Sequence, residues 1–210
     1  MTTYIDVTQR SEAWIEERLG SVGASEIYDA VAKQKSGKYY AKREDLLYKK
    51  LAEKITGPST NYVSPAMRHG IETEGAARTA YELHTGFNVS EVGIFKHNRI
   101  SGTHASPDGI IAGTSIGLEL KCPNSSTHLR TLLTGEVQEN YVYQCQWQMA
   151  CAGLDAVDFA SFDPRFPVSA QLYIQRITRD SALIEEIERE IEIFLAELAQ
   201  LESKFNSQFK

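Results

Sequence analysis

Cysteine is scarce in this chain of 210 residues. The three present, Cys122, Cys145 and Cys151, form no Cys-x-x-Cys pair and are odd in number. That excludes a disulfide framework and points to a reducing, cytoplasmic setting. The five histidines are scattered and stand at no ligand spacing from a cysteine, so a zinc site is not expected. Long apolar runs are lacking too, so no membrane contact is expected. The N-terminal run MTTYIDVTQRSEAW has no basic stretch followed by an apolar one, so no secretory leader is expected there. An excess of positive charge is also missing. The net charge of −6 argues against a non-specific nucleic-acid binder. Repeats, low-complexity tracts and long linkers are absent as well.

The average charge hides a segregation. Residues 30–57 hold eight lysines and arginines against three acids, a local net charge of +5. Residues 180–202 hold eight acids and only Arg189, a local net charge of −7. A basic segment can grip phosphates, or both segments can be solvated helix faces.

Punctuation and periodicity predict the elements. A short helix is expected over 11–19. The run GASEIYDAVAK opens with Ser25 as N-cap and continues as a helix to about residue 33. Gln34 to Tyr40 reads as a loop containing Gly37. A helix over 41–55 stops at Gly57-Pro58. Another starts at Ser64-Pro65, with proline in its first turn, and ends at Thr85-Gly86. Strands are expected over Phe87 to Lys96, 100–105, 108–112 and 116–121. Helices follow near 125–133 and 137–153, then strands at 156–162 and 170–177, then a helix over 180–205. This order implies an α/β protein with a mixed sheet flanked by helices. In the last helix Ile184, Ile187, Ile191, Phe194, Leu198, Leu201 and Phe205 form a heptad stripe. The stripe is expected to pack on the sheet, with a subunit contact as the sharper alternative.

The run SPDGIIAGTSIGLELKCP at 106–123 carries the chemistry. Asp108 sits in a Pro-Asp-Gly turn, and eleven residues later comes Glu119, followed by Leu120 and Lys121. On a strand Glu119 and Lys121 point to one face, and Leu118 and Leu120 to the other. A turn at Asp108-Gly109 brings its carboxylate beside them. Adjacent carboxylates repel unless a cation sits between them, and oxygen ligands select hard cations such as Mg²⁺. The tripeptide Glu-x-Lys alone is common and reads equally as an ion pair. The proline-aspartate and the strand context make it specific.

This pattern resembles the PD-(D/E)xK nuclease superfamily, and within it the phage lambda exonuclease family of YqaJ-like viral recombinases. Five blocks fall in the family's order over residues 10–200. Beside SPDG…GLELKCP, RLGSVGAS at 18–25 is similar to its phosphate-binding block, and HGIETEGAARTAYE at 69–82 to its glutamate helix. YVYQCQWQM at 141–149 is similar to its glutamine helix, and FDPR at 162–165 to a further short piece.

The resemblance implies a restriction-endonuclease-like core in a single nuclease domain over 1–210. Its helical part would be 10–86 and its catalytic sheet and helices 87–205. It implies Asp108, Glu119, Glu74 and the carbonyl of Leu120 as ligands of two Mg²⁺ ions, with Mn²⁺ as a substitute. Lys121 would position or activate the attacking water, and Gln144 would contact that lysine or the scissile phosphate. Arg18 and Ser25 would bind the 5′-terminal phosphate, Lys35 and Lys38 would reach the duplex backbone, and Met67 would wedge apart the terminal base pairs. The implied activity is 5′→3′ digestion of one strand of linear duplex DNA, leaving a 3′ overhang. A homotrimeric ring and a single-strand annealing protein are the implied partners. Glu74 can equally pair with Arg78, one helical turn on. The chain departs from the family at Gly23, where a hydroxyl residue can occur, and at Met67 in place of a leucine wedge. The rivals are an endonuclease on the same core, such as a restriction enzyme or junction resolvase, and a non-catalytic DNA-end binding protein.

Overall fold

The computed structural model describes residues 2–58 and 65–209, except the side chains of residues 65–67. Strand β1 (Thr3–Ile5) leads into helix α1 (Glu12–Arg18), whose N-cap Ser11 accepts from the Trp14 amide. Strand β2 (Val22–Gly23) precedes a 3-10 turn over Ala24–Glu26 and the short helix α2 (Ile27–Val31). Helices α3 (Lys42–Thr56) and α4 (Pro65–Thr85) follow. Then come β3 (Val89–Ser90), β4 (Ile94–Lys96), β5 (Thr103–Ala105), β6 (Gly109–Ile111) and β7 (Ile116–Lys121). Helices α5 (Ser125–Thr134) and α6 (Glu139–Ala152), strands β8 (Ala156–Phe162) and β9 (Leu172–Thr178), and helix α7 (Ser181–Phe209) complete the chain.

The strands form two mixed sheets. The larger has the order β3-β6-β7-β8-β9, with β7 and β8 parallel and the other pairs antiparallel. The smaller has the order β1-β4-β5-β2, with β2 parallel to β5. Strand β8 is buried along its whole length because both sheet faces are covered there. Helix α4 covers one face, packing Ala77 and Tyr81 on Leu118, Leu120 and Ala160. Helix α6 covers the other, packing Cys145 and Met149 on Val157 and Phe159. A buried acid inside this core is paid for by neighbours: Asp158 accepts from the Tyr81 hydroxyl at 2.6 Å and from Arg176 at 2.7 and 2.9 Å.

Four expectations need correction. Ser25 does not cap a helix. It lies inside the 3-10 turn, and α2 ends at Val31 because Ala32 turns to extended backbone. The strand expected over Phe87 to Lys96 is split into β3 and β4, which join different sheets. Strands β1 and β2 were not anticipated, being short segments that exist only by pairing with β4 and β5. The heptad stripe of α7 packs chiefly on helices. Ile187, Ile191, Phe194 and Leu198 share a core with Ile27, Leu47 and Trp147, and Ile184 alone of the stripe joins the core under the large sheet.

Candidate active site

Strand β7 places its side chains as alternation requires. Leu118 and Leu120 face α4 in the core, and Glu119, only 2% exposed, faces α6. The backbone explains the spacing between Asp108 and Glu119. Asp108 ends the hairpin that pairs β6 with β7, so its amide donates to the Leu118 carbonyl at 3.1 Å. Its carboxylate turns back and accepts from the Leu120 amide at 2.6 Å. Arg78 of α4 closes the turn from outside, donating to the Asp108 carbonyl at 3.0 Å. Gly109 is needed at this corner. A β-carbon there would stand 2.2 Å from Val89 Cγ1 and 3.1 Å from the Ser90 carbonyl oxygen.

Glu119 is held from three directions. Lys121 Nζ lies 2.5 Å from Oε1, Gln144 Nε2 donates to the same oxygen at 2.6 Å, and Gln148 Nε2 donates to Oε2 at 2.5 Å. The two glutamines are one turn apart on α6, so one helix face meets one carboxylate. Lys121 Nζ also lies 5.1 Å from the Tyr141 ring centre. Burial works against the charge on Lys121, yet Glu119 and Asp108 outweigh it and hold the proton above the usual lysine range. Burial, then Glu119, push the Asp108 carboxyl well above the ordinary aspartate value, and Glu74 adds to the push.

Glu74, on α4, pairs with Arg10 and lies 3.7 Å from Arg78. Both readings of Glu74 therefore meet at one place, since it also lines the cleft that holds Asp108, Glu119, Leu120 and Lys121. That cleft has a volume of about 810 Å³. Arg10 has a φ of 68°, a left-handed conformation that costs energy for any residue but glycine. The donor set of carboxylates and a carbonyl suits a hard cation. Asp108 is the observation that supports the fit: its excess of nearby negative charge is what a divalent ion would relieve. Among the described residues, no three carboxylate, imidazole or thiol groups already converge as a metal cage. Glu119 and Glu74 are instead occupied by amides and cations.

Ser25 lines the same cleft. Arg18 ends α1 with its guanidinium 3.9 Å above the Trp14 ring centre, and Trp14 in turn donates to Ser106 at 3.1 Å. Among the described residues Arg18 makes no side-chain hydrogen bond or ion pair, and burial lowers its pKa. Lys35 and Lys38 are exposed in a tight turn closed by the Gln34 amide on the Lys38 carbonyl, and neither lines the cleft. The side chain of Met67 lies outside the described residues. Three cleft or site residues were not singled out from the sequence. Gln148 had a legible signal, its helical spacing from Gln144. Arg165 had one too, the FDPR block at 162–165, whereas Arg10 had none, because it reaches the cleft from a segment remote in sequence from its other walls.

A mixed sheet with a proline-aspartate turn pinned to a Glu-x-Lys strand is the core of the PD-(D/E)xK nuclease superfamily. Within it, the chain belongs to the YqaJ-like viral recombinase family, whose domain matches residues 13–155. The chain is similar over 94% of its length, and 97% of the other chain, to an alkaline exonuclease from Laribacter hongkongensis, with 40% identity and a TM-score of 0.86. The same exonuclease in complex with dAMP gives 39% identity and a TM-score of 0.87, over the same shares of the two chains. A phage-related exonuclease from Haemophilus somnus 129PT shares the fold at a TM-score of 0.68, with 14% identity over 88% of this chain and 96% of that one. A search of the curated proteins gives no match.

Proposed function

We propose that the protein is a Mg²⁺-dependent 5′→3′ exonuclease that digests one strand of linear duplex DNA from a 5′-phosphorylated end. The observation that carries this reading is the Asp108 carboxylate held on the Leu120 amide beside the Glu119–Lys121 pair, at the wall of an open cleft. The likeness to an alkaline exonuclease at 40% identity supports it.

Asp108, Glu119, Glu74 and the Leu120 carbonyl are the residues that would hold two Mg²⁺ ions, or Mn²⁺ in their place. Such ions would supply Lewis-acid activation of water and neutralise the leaving oxygen. The chain's own residues do the positioning. Gln144 and Gln148 fix the Glu119 carboxylate, and Lys121, kept charged, stabilises negative charge on the phosphate. Water adds to the scissile phosphorus, the bond to the 3′ oxygen of the terminal nucleotide breaks, and that oxygen takes up a proton. A 5′-mononucleotide leaves, and the shortened strand again ends in a 5′-phosphate. Every turnover thus regenerates the group for which Arg18 and Ser25 are suited, since a guanidinium fork binds phosphate oxygens in pairs. A homotrimeric ring around the DNA, and a single-strand annealing protein loading on the 3′ overhang, belong to the same reading.

The test is release of acid-soluble nucleotides with Mg²⁺ from three substrates. Linear duplex with 5′-phosphate ends is expected to be digested fast, the same duplex with 5′-hydroxyl ends slowly, and a covalently closed circle not at all. A cut circle would replace the reading by an endonuclease on the same core. Binding without digestion of any substrate would leave a DNA-end binding protein.

A further inference from the structure

One buried ring nitrogen near this cleft is unused by the chemistry above. Strand β2 runs parallel to β5 and sets Gly23 opposite His104. The His104 ring is 1% exposed, and its Nδ1 lies 2.8 Å from the Ser21 hydroxyl oxygen. Its other nitrogen, Nε2, is buried and has no partner among the described residues. A buried polar atom in that condition is costly and calls for a reason. The space in front of it is kept by a glycine. A β-carbon on Gly23 would stand 2.9 Å from His104 Nε2 and 3.5 Å from Arg18 Nη2. Both nitrogens therefore border the place where a side chain is missing.

Arg18 is the donor beside it. Its neighbours Lys49 and Lys50 are committed to Glu26 and Glu53, at distances of 2.8 to 3.9 Å. The Arg18 guanidinium, backed by Trp14, makes no such pair among the described residues. Two residues after Gly23, Ser25 lines the cleft with Asp108.

We infer that His104 is a further specificity-determining residue of the pocket for the 5′-terminal phosphate, donating from Nε2 beside the Arg18 guanidinium. The inference rests on the exonuclease reading of Arg18 and Ser25. A terminal phosphomonoester offers three strong acceptor oxygens and more charge than a phosphodiester. It matches a fork of guanidinium donors, a hydroxyl and one ring N–H. Ser21 is placed to support the tautomer this needs: with its hydroxyl donating to Nδ1, the single proton of the neutral ring sits on Nε2. Gly23 serves the same end, because a β-carbon there would crowd both donors.

The experiment measures binding by fluorescence anisotropy, without divalent ions so that nothing is cut. It compares a labelled duplex ending in 5′-phosphate with the same duplex ending in 5′-hydroxyl. The wild-type chain is expected to prefer the phosphate end. His104→Ala is expected to reduce that preference by about 10-fold, the effect of one hydrogen bond to a charged group. His104→Gln, which keeps an amide N–H near the Nε2 position, should retain most of it. Gly23→Ala should lower it with His104 still in place. Thermal melts check that each variant is folded, and if His104→Ala is not, His104→Gln and Gly23→Ala carry the test. An undiminished phosphate preference in folded His104→Ala and Gly23→Ala, with Arg18→Ala losing it, overturns the role of His104 and leaves the pocket standing. No preference in the wild type, or one that Arg18→Ala does not change, overturns the pocket and His104 with it.

Discussion

Glu119 shows how much support one buried carboxylate needs. Two amide donors and an ammonium hold its two oxygens, and Gln148 is the sole partner of Oε2 among the described residues. Gln148→Met keeps the volume and removes that donor. A lost hydrogen bond to a charged group costs about 1.5–3 kcal/mol, so kcat is expected to fall roughly 10-fold to 100-fold with little change in KM. Steady-state digestion of phosphorylated duplex checks this, and a fall confined to KM would contradict it. Asp108 makes the pH prediction. Burial, Glu119 and Glu74 raise its pKa, so the native state without metal binds a proton that the unfolded chain has already released. Stability then falls as pH rises from the ordinary value of 3.8 through the raised native value, and stays reduced above it. Asp108→Asn abolishes this loss. It is expected to melt higher than the wild type at about pH 8 in a chelator, by roughly 2–4 °C for each kcal/mol relieved. The gap should close as the pH is lowered, and the variant should cleave nothing. Adding Mg²⁺ should raise the melting temperature of the wild type more than that of the variant, through binding linkage.

Helix α6 is the element that turns a strand motif into a site, since Gln144 and Gln148 share the face that meets Glu119. That the two glutamines share a face was readable from helical spacing. Helix α7 was readable as a stripe, but not its neighbours. Its apolar side fits against α2, α3 and α6, while its polar side takes bases of the helical segment: Lys33 on Glu190, Arg43 on Glu197, Lys54 on Glu202. Phe194 is fully buried at the centre of that contact. Phe194→Ala is expected to cost about 3–5 kcal/mol, seen as a lower urea midpoint with an unchanged slope. The helix start expected at Ser25 is displaced for a non-local reason. The chain there enters β2 and a 3-10 turn, whose geometry is dictated by pairing with β5, a segment about eighty residues away.

At the scale of the molecule the segregated charge is largely spent internally. In the basic run over 30–57, Lys33, Arg43 and Lys54 meet acids of α7, while Lys49 and Lys50 meet Glu26 and Glu53 and Lys42 lies by Asp29, so few cations there remain free for DNA. Lys35 and Lys38 are exposed and make no ion pair among the described residues. Replacing both with alanine is expected to weaken duplex binding irrespective of sequence. The slope of log affinity against log salt should fall by about 2 if each meets one phosphate. Binding titrations from low to moderate salt measure it, and an unchanged slope would remove both lysines from the duplex path. The proposed ring of three predicts a species of three times the chain mass in light scattering, together with processive digestion in a single-encounter assay.

By itself the sequence determined the α/β class, most helices, the strands β7 and β8, and the trio Asp108, Glu119 and Lys121. Periodicity and turn chemistry are local, and a Pro-Asp-Gly turn followed by Glu-x-Lys is local enough to be seen in one window. Only the tertiary structure decided which sheet each short strand joins, that Gln148 and Arg10 serve Glu119 and Glu74, and that His104 stands beside Arg18 across Gly23. Those facts depend on contacts between segments far apart in the chain, and an isolated run of residues carries no physical signal of the neighbour it will meet.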